Sequence, residues 1–192
     1  VDPIERLLER HAMVHAPDVG GSDFTMQRAV AGLAPEQLRE RPGGANAIAW
    51  IVWHLARVED GCIAGTVLGQ PPLLDETWTS RLRVDFEGDG EGMTRDEAAG
   101  VSDAVETDAL MAYRDAVGRR TRDLLQTLNV EVLDTPLSEP EIQDRVTRGL
   151  IPPEEAEHLA RFTRSSLLWW WAVEHNHYHL GQAAMIRGMI RS

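Results

Sequence analysis

The chain has 192 residues, 43% of them hydrophobic and 26% charged, the balance of a globular protein with a real core and one domain spanning 1–192. Its net charge of −12 disfavours nucleic acid and acidic membrane faces as partners, and no apolar run reaches the roughly 20 residues of a membrane-spanning helix. All 19 basic residues are arginine and one residue is cysteine, Cys62. That removes a Schiff-base lysine and an intramolecular disulfide framework, and it fits a reducing cytoplasm. The opening Val1-Asp2-Pro3 stretch lacks the basic-then-apolar layout of a secretory signal.

Strand signals are nearly absent and helical periodicity dominates. A first helix is expected from Pro3 to His15, broken by Pro17 and the pair Gly20 and Gly21. It resumes at Ser22, a cap candidate, and runs to Gly32. A short helical piece, Pro35 to Leu38, follows. A second helix starts after Gly43 and Gly44, with Asn46 as cap, and ends near Leu68 before Pro71 and Pro72. Residues 71–104 read as a long loop that crosses the bundle or covers a site. A third helix spans Thr107 to Leu128, a short one Ser138 to Arg148, and a long fourth helix extends from Pro153 toward Ile190. The pattern predicts an all-α fold, a four-helix bundle with a long crossover connection; two less regular helical hairpins are the alternative.

Histidines mark the candidate chemistry. At about 100° per residue, His179 falls about 40° from His175, with Leu168, Trp171, Tyr178, Gln182, Ile186 and Met189 in the same sector. His177 points the opposite way. His54 shares a face with Ala47, Trp50, Val58, Gly61 and Gly65, and the two glycines would admit a close backbone. A lone inward histidine is ordinarily a hydrogen-bonded core residue. Two neighbouring inward imidazoles are costly unless something joins them, and a divalent cation accepts both lone pairs. A third imidazole from a facing helix completes a site with open positions.

Other constellations are weaker. Asn176 follows His175, so the His-Glu-x-x-His protease motif is missing. Glu-x-x-His occurs at Glu155 and at Glu174, both on the fourth helix, whereas di-iron bundles need it on two helices. His11 and His15 are read as structural, near a helix C-terminus that attracts histidine. Cys62 lies about 80° round from His54. No nucleophile-elbow glycine pattern surrounds a serine.

Three segments together carry a resemblance: Phe24 to Leu33, Arg41 to His54, and His175-x-x-x-His179-Leu180-Gly181-Gln182. They resemble the DinB/YfiT-like superfamily, which includes DNA-damage-inducible DinB proteins, mycothiol-dependent maleylpyruvate isomerase and mycothiol or bacillithiol S-transferases. The resemblance covers Phe24 to Arg187 and implies a four-helix bundle with a long crossover, with metal ligands His54, His175 and His179. In the isomerase branch one position of the C-terminal pair is glutamate. Here it is His175, which favours the all-histidine branches.

The resemblance implies a divalent metal, zinc or nickel, and a low-molecular-weight thiol as co-substrate. A cation on neutral imidazoles lowers the pKa of a bound thiol or water. Gln182 and Tyr178 would orient ligands or substrate, Trp50 and Trp171 would form an apolar wall, and Arg81 and Arg83 are read mainly as solvated loop charges. Three classes of function stay open: a thiol S-transferase, a metal-dependent hydrolase, and a non-catalytic metal-binding stress protein. Trp169 and Trp170 flank the stripe, where they would pack on neighbouring helices or in a homodimer.

Overall fold

The computed structural model describes residues 2–15, 25–86 and 88–192. Helix α1 spans Pro3–His15. Asp2 Oδ1 accepts from the Ile4 amide at 2.7 Å, and Pro3 needs no hydrogen-bond partner in the first turn. Helix α2 is Met26–Val30, capped by Thr25; the expected cap Ser22 lies outside the described residues. Helix α3 is Pro35–Leu38.

Helix α4, Ile48–Val58, continues without a break as a π-helical stretch, Glu59–Val67. Every residue from Ile48 to Val58 is buried, as expected of a helix apolar on all sides. Its N-cap is Ala47 with no side-chain cap bond; Asn46, the expected cap, lines a cleft instead.

The connection 71–104 is not the plain loop expected from its weak periodicity. It holds α5, Glu76–Leu82, and α6, Arg95–Ala104. Asp75 caps the first, and Thr94 with Glu97 forms a capping box on the second. Buried Asp60 pins the connection to the bundle: its carboxylate accepts from the Leu73 amide at 2.7 Å, the Leu74 amide at 2.9 Å and the Tyr113 hydroxyl at 2.7 Å.

Helix α7 is Thr107–Gln126 and α8 is Glu139–Thr147. The expected long fourth helix is interrupted. Helix α9, Ala156–Leu159, ends early, and Thr163 caps a new start at α10, Arg164–Trp169. A π-helical turn, Trp170–Glu174, joins α10 to α11, His175–Arg191. Among the described residues no strand forms, only an isolated bridge between Pro136 and Thr163.

Four rods make the bundle: α1, α4 with its π extension, α7, and α10 with α11. Helix α4 packs on α7 and α11, and α1 packs on α7. The apolar core falls into two clusters. One gathers Val14, Ile51, Trp53, Tyr113, Leu180 and Ala183. The other gathers Leu7, Ile63, Leu125, Leu168 and Ala172. Burial of each such large side chain contributes roughly 1.5–3 kcal/mol. In chain order, His11, Glu59 and Asn176 fall between the two clusters on their rods, and Arg114 reaches them from α7.

Candidate metal centre

His54 sits in mid-α4, and His175 and His179 fall in the first two turns of α11. One ring nitrogen from each lies within 4.8 Å of the others, and His54 Nε2 is 3.3 Å from His175 Nε2. Two tautomers follow from the acceptors nearby. His54 Nδ1 donates to the Asp89 carbonyl at 2.7 Å, so its Nε2 carries a lone pair. His179 Nδ1 donates to Gln182 Oε1 at 2.8 Å, which frees its Nε2 in the same way. Burial, then the neighbouring imidazoles of His179 and His54, pushes the His175 pKa down to about 3. Burial and His54 push that of His179 down to about 4. Both rings are therefore neutral at neutral pH and could each offer a lone pair.

The donor set fits a divalent cation. Nitrogens about 2.0–2.1 Å from a tetrahedral zinc lie roughly 3.3 Å apart, matching the His54–His175 spacing. In the absence of a cation His175 Nε2 can donate to His54 Nε2; a cation would instead take a lone pair from each ring.

His54 and His175 border a cleft of about 840 Å³, with His179 buried behind them. One i,i+4 row of α4 and its extension forms a wall: Asn46, Trp50, His54, Val58, Cys62 and Thr66. Trp50 stacks on the His54 ring, with centroids 4.8 Å apart and planes 8° from parallel. The opposite wall includes Trp170 and Trp171. Trp169 and Trp171 both pack against the second core cluster, and Trp169 does not line the cleft.

A strap from the 71–104 connection closes the third side. Gly90 has φ +100°, and a Cβ there would come within 2.8 Å of Trp53 Cζ3 and 3.2 Å of Trp50 Cζ2. Only glycine lets Asp89 bring its carbonyl to His54.

Some expected residues lie elsewhere. Tyr178 is 64% exposed and Met189 47% exposed, so neither faces the core; the Tyr178 ring meets His179 edge-on from outside. The buried arc of α11 runs through Asn176, Leu180, Ala183 and Ile186, centred about 80° round from His175. His179 lies inside that arc and His175 at its edge, where it borders the cleft. Gly61 has nothing near its missing Cβ, and Gly65 meets the Leu150 side chain, so neither admits a close helix as expected. Arg81 lies over the Trp78 ring, and Arg83 borders a different depression. Glu155, His158, Glu174 and His177 are all exposed.

A second cluster escaped sequence reasoning. His11 Nε2 and His15 Nε2 each donate to Glu59, at 2.8 and 2.9 Å. Arg114 Nη1 donates to Glu59 Oε2 at 3.0 Å, and Arg114 Nη2 donates to Asn176 Oδ1. Burial works to raise the Glu59 pKa, but His15, His11 and Arg114 outweigh it and hold it well below the usual carboxylate range. The available signal was a pair of carboxylates, Glu59 and Asp60, inside a largely apolar helical run.

With this geometry in hand, comparison with known proteins is informative. The family model of the DinB superfamily matches residues 25–183. The chain belongs to the DinB superfamily. Its fold is similar to that of a conserved protein from Enterococcus faecalis solved by crystallography, at TM-score 0.66 and 23% identity, covering 98% of this chain and 93% of that one. No curated protein matches the chain. No helix among the described residues is long and apolar enough to cross a membrane.

Proposed function

We propose that this DinB-superfamily protein holds a divalent metal, zinc or nickel, on His54, His175 and His179, and that it catalyses transfer of a low-molecular-weight thiol to an electrophile. The observation behind this reading is the convergence of three imidazole nitrogens from two helices at the edge of an open cleft. Two of those rings have their other nitrogen occupied by an oxygen acceptor. A bound divalent cation would supply a lowered pKa for a thiol or water placed on it. The protein's share is positioning. Asp89 and Gln182 fix two ring orientations, Trp50 braces His54, and the cleft walls limit water at the reacting sulfur.

Metal analysis of the purified chain beside a His175→Ala/His179→Ala variant tests the centre. We expect loss of metal in the variant; equal content removes the site. Turnover of monochlorobimane with small thiols tests the transferase. Thiol-independent cleavage of an ester in its place assigns the cleft to hydrolysis, and metal without any turnover assigns it to binding alone. Self-association as a homodimer is a separate proposal, with the exposed Tyr178, Met185 and Met189 of α11 as its apolar face; elution at monomer mass with light scattering would refute it.

A further inference from the structure

The mouth of the cleft is charged, and its charge has one dominant sign. Asp89, Glu91, Glu154 and Glu155 line it against a single guanidinium, Arg95. None of the four carboxylates forms an ion pair with another described residue. Exposed carboxylates are ordinarily just solvated, and in a chain of net charge −12 some would fall at any opening. Two further observations set these apart.

The first is their company. Trp170 and Trp171 line the same cleft as Glu154 and Glu155, and Trp50 lines it beside Asp89 and Glu91. Trp170 is 49% exposed, an unusual state for tryptophan. Indole faces next to carboxylates are the surroundings that bind organic ammonium groups. The second is that the carboxylates act along the wall. The Cys62 thiol, two turns beyond His54, is pushed up first by burial and then by Asp89 and Glu91, with Arg57 opposing less strongly.

The charges are also ordered in space. Where a cation would sit, His54 and His179 are buried and His175 half-buried, whereas Glu91, Glu154 and Glu155 are exposed. The carboxylates stand around the opening, and Asp89 joins the two levels because its carbonyl holds His54 at 2.7 Å. A ligand matching this order carries a soft anionic donor at one end and a positive charge at the other. Thiols bearing carboxylates would meet four like charges on entry.

Resting on the thiol-transfer reading above, we propose that the thiol taken by this cleft is an aminothiol, its sulfur toward His54, His175 and His179 and its ammonium group among the mouth carboxylates and tryptophan faces. The mouth sets specificity, and the imidazoles set the anchoring point.

The test uses cobalt-substituted protein titrated with cysteamine, 2-mercaptoethanol and 3-mercaptopropionate, read by the sulfur-to-cobalt charge-transfer band. Cysteamine should half-saturate at a concentration about ten-fold below that of 3-mercaptopropionate, with the neutral thiol between. The three thiols differ in intrinsic acidity, so the decisive reading is the change in that ratio. It should fall at least about three-fold in a Glu91→Gln/Glu154→Gln/Glu155→Gln variant, and also in high salt. These are exposed positions, so folding is not at stake. A ratio unchanged in both, or a preference for 3-mercaptopropionate, overturns the proposal. Absence of any cobalt spectrum overturns the metal reading instead. The mouth is then judged by tryptophan quenching with benzylamine against benzoate: stronger quenching by the amine upholds the ammonium site, and equal quenching overturns it.

Discussion

Arg114 donates to the side-chain carbonyl of Asn176, one residue along α11 from His175. The Asn176 amide in turn donates to the Trp171 and Ala172 carbonyls at 3.1 and 3.2 Å, inside the π-helical turn. The helix that presents two candidate ligands is thus fastened through its least regular segment to a buried ion pair. π-Turns concentrate at functional sites, and here the wider turn leaves carbonyls that Asn176 satisfies.

Removing Arg114 should therefore be severe. Arg114 and Glu59 are both almost fully buried, and an Arg114→Met change leaves the carboxylate between two apolar clusters with only the His11 and His15 rings as partners. The expected cost is about 3–5 kcal/mol in urea unfolding. Adding Glu59→Gln should recover part of it, because the orphaned charge goes too. A loss under about 1 kcal/mol for Arg114→Met would show that the pair does not hold the rods together.

Acid sensitivity follows from His15. Burial, reinforced by Arg114, pushes its pKa down to about 3, against about 6.5 in an unfolded chain. The folded state then binds fewer protons than the unfolded state between those values. The stability is whole above pH ~6.5 and falls as pH drops through the window toward 3. At pH 5 this group alone should remove about 2 kcal/mol. His15→Gln should flatten that part of the stability profile measured by denaturant titration. An unchanged slope would mean that His15 charges freely in the folded protein.

Much of the fold was legible because its signals are local. The start of α1 and the limits of α3 and α8 follow from proline, glycine and capping residues, and the all-α class from periodicity; the expected break at Pro17, Gly20 and Gly21 lies outside the described residues. The misses share a different cause. Helices α5 and α6 are too short for a strong period, although Thr94 with Glu97 is a readable capping box. The break before Thr163 replaces one long helix by two, and the π-turn after Trp169 alters the angular count. Tyr178 and Met189 read as inward because uncharged residues also cover the outer face of α11. Glu59, Arg114 and Asn176 form their network across three rods, a relation that no single-helix projection contains.

The strap at Gly90 gives a prediction at the centre itself. Gly90→Ala adds a methyl group that would meet Trp53 and Trp50, at a φ of +100° that disfavours side chains. The strap must lift, and the Asp89 carbonyl leaves His54 Nδ1. Loss of such a partner to a ligating histidine commonly lowers metal affinity 10–100-fold. We expect about ten-fold weaker zinc binding by competition with a chelating dye, with the far-ultraviolet helix signal retained. Affinity equal to that of the parent would show that His54 keeps its orientation without Asp89.

Two clusters in this protein bring three donors together, yet only one should take metal. In the trio of His54, His175 and His179 the convergent nitrogens have no partner beyond one another, and His54 and His175 border the cleft. Around Glu59 each donor atom is already used: His11 and His15 both donate to the carboxylate, and the Arg114 guanidinium stands 3.0 Å away. A divalent cation there would have to displace those bonds and sit beside a buried positive charge. Zinc titrated into metal-free protein should saturate near one equivalent. His54→Gln should abolish the tight site, whereas His11→Gln should leave its stoichiometry unchanged. Two equivalents in the parent, with one lost in His11→Gln, would show that the carboxylate cluster also binds and that the guanidinium does not protect it.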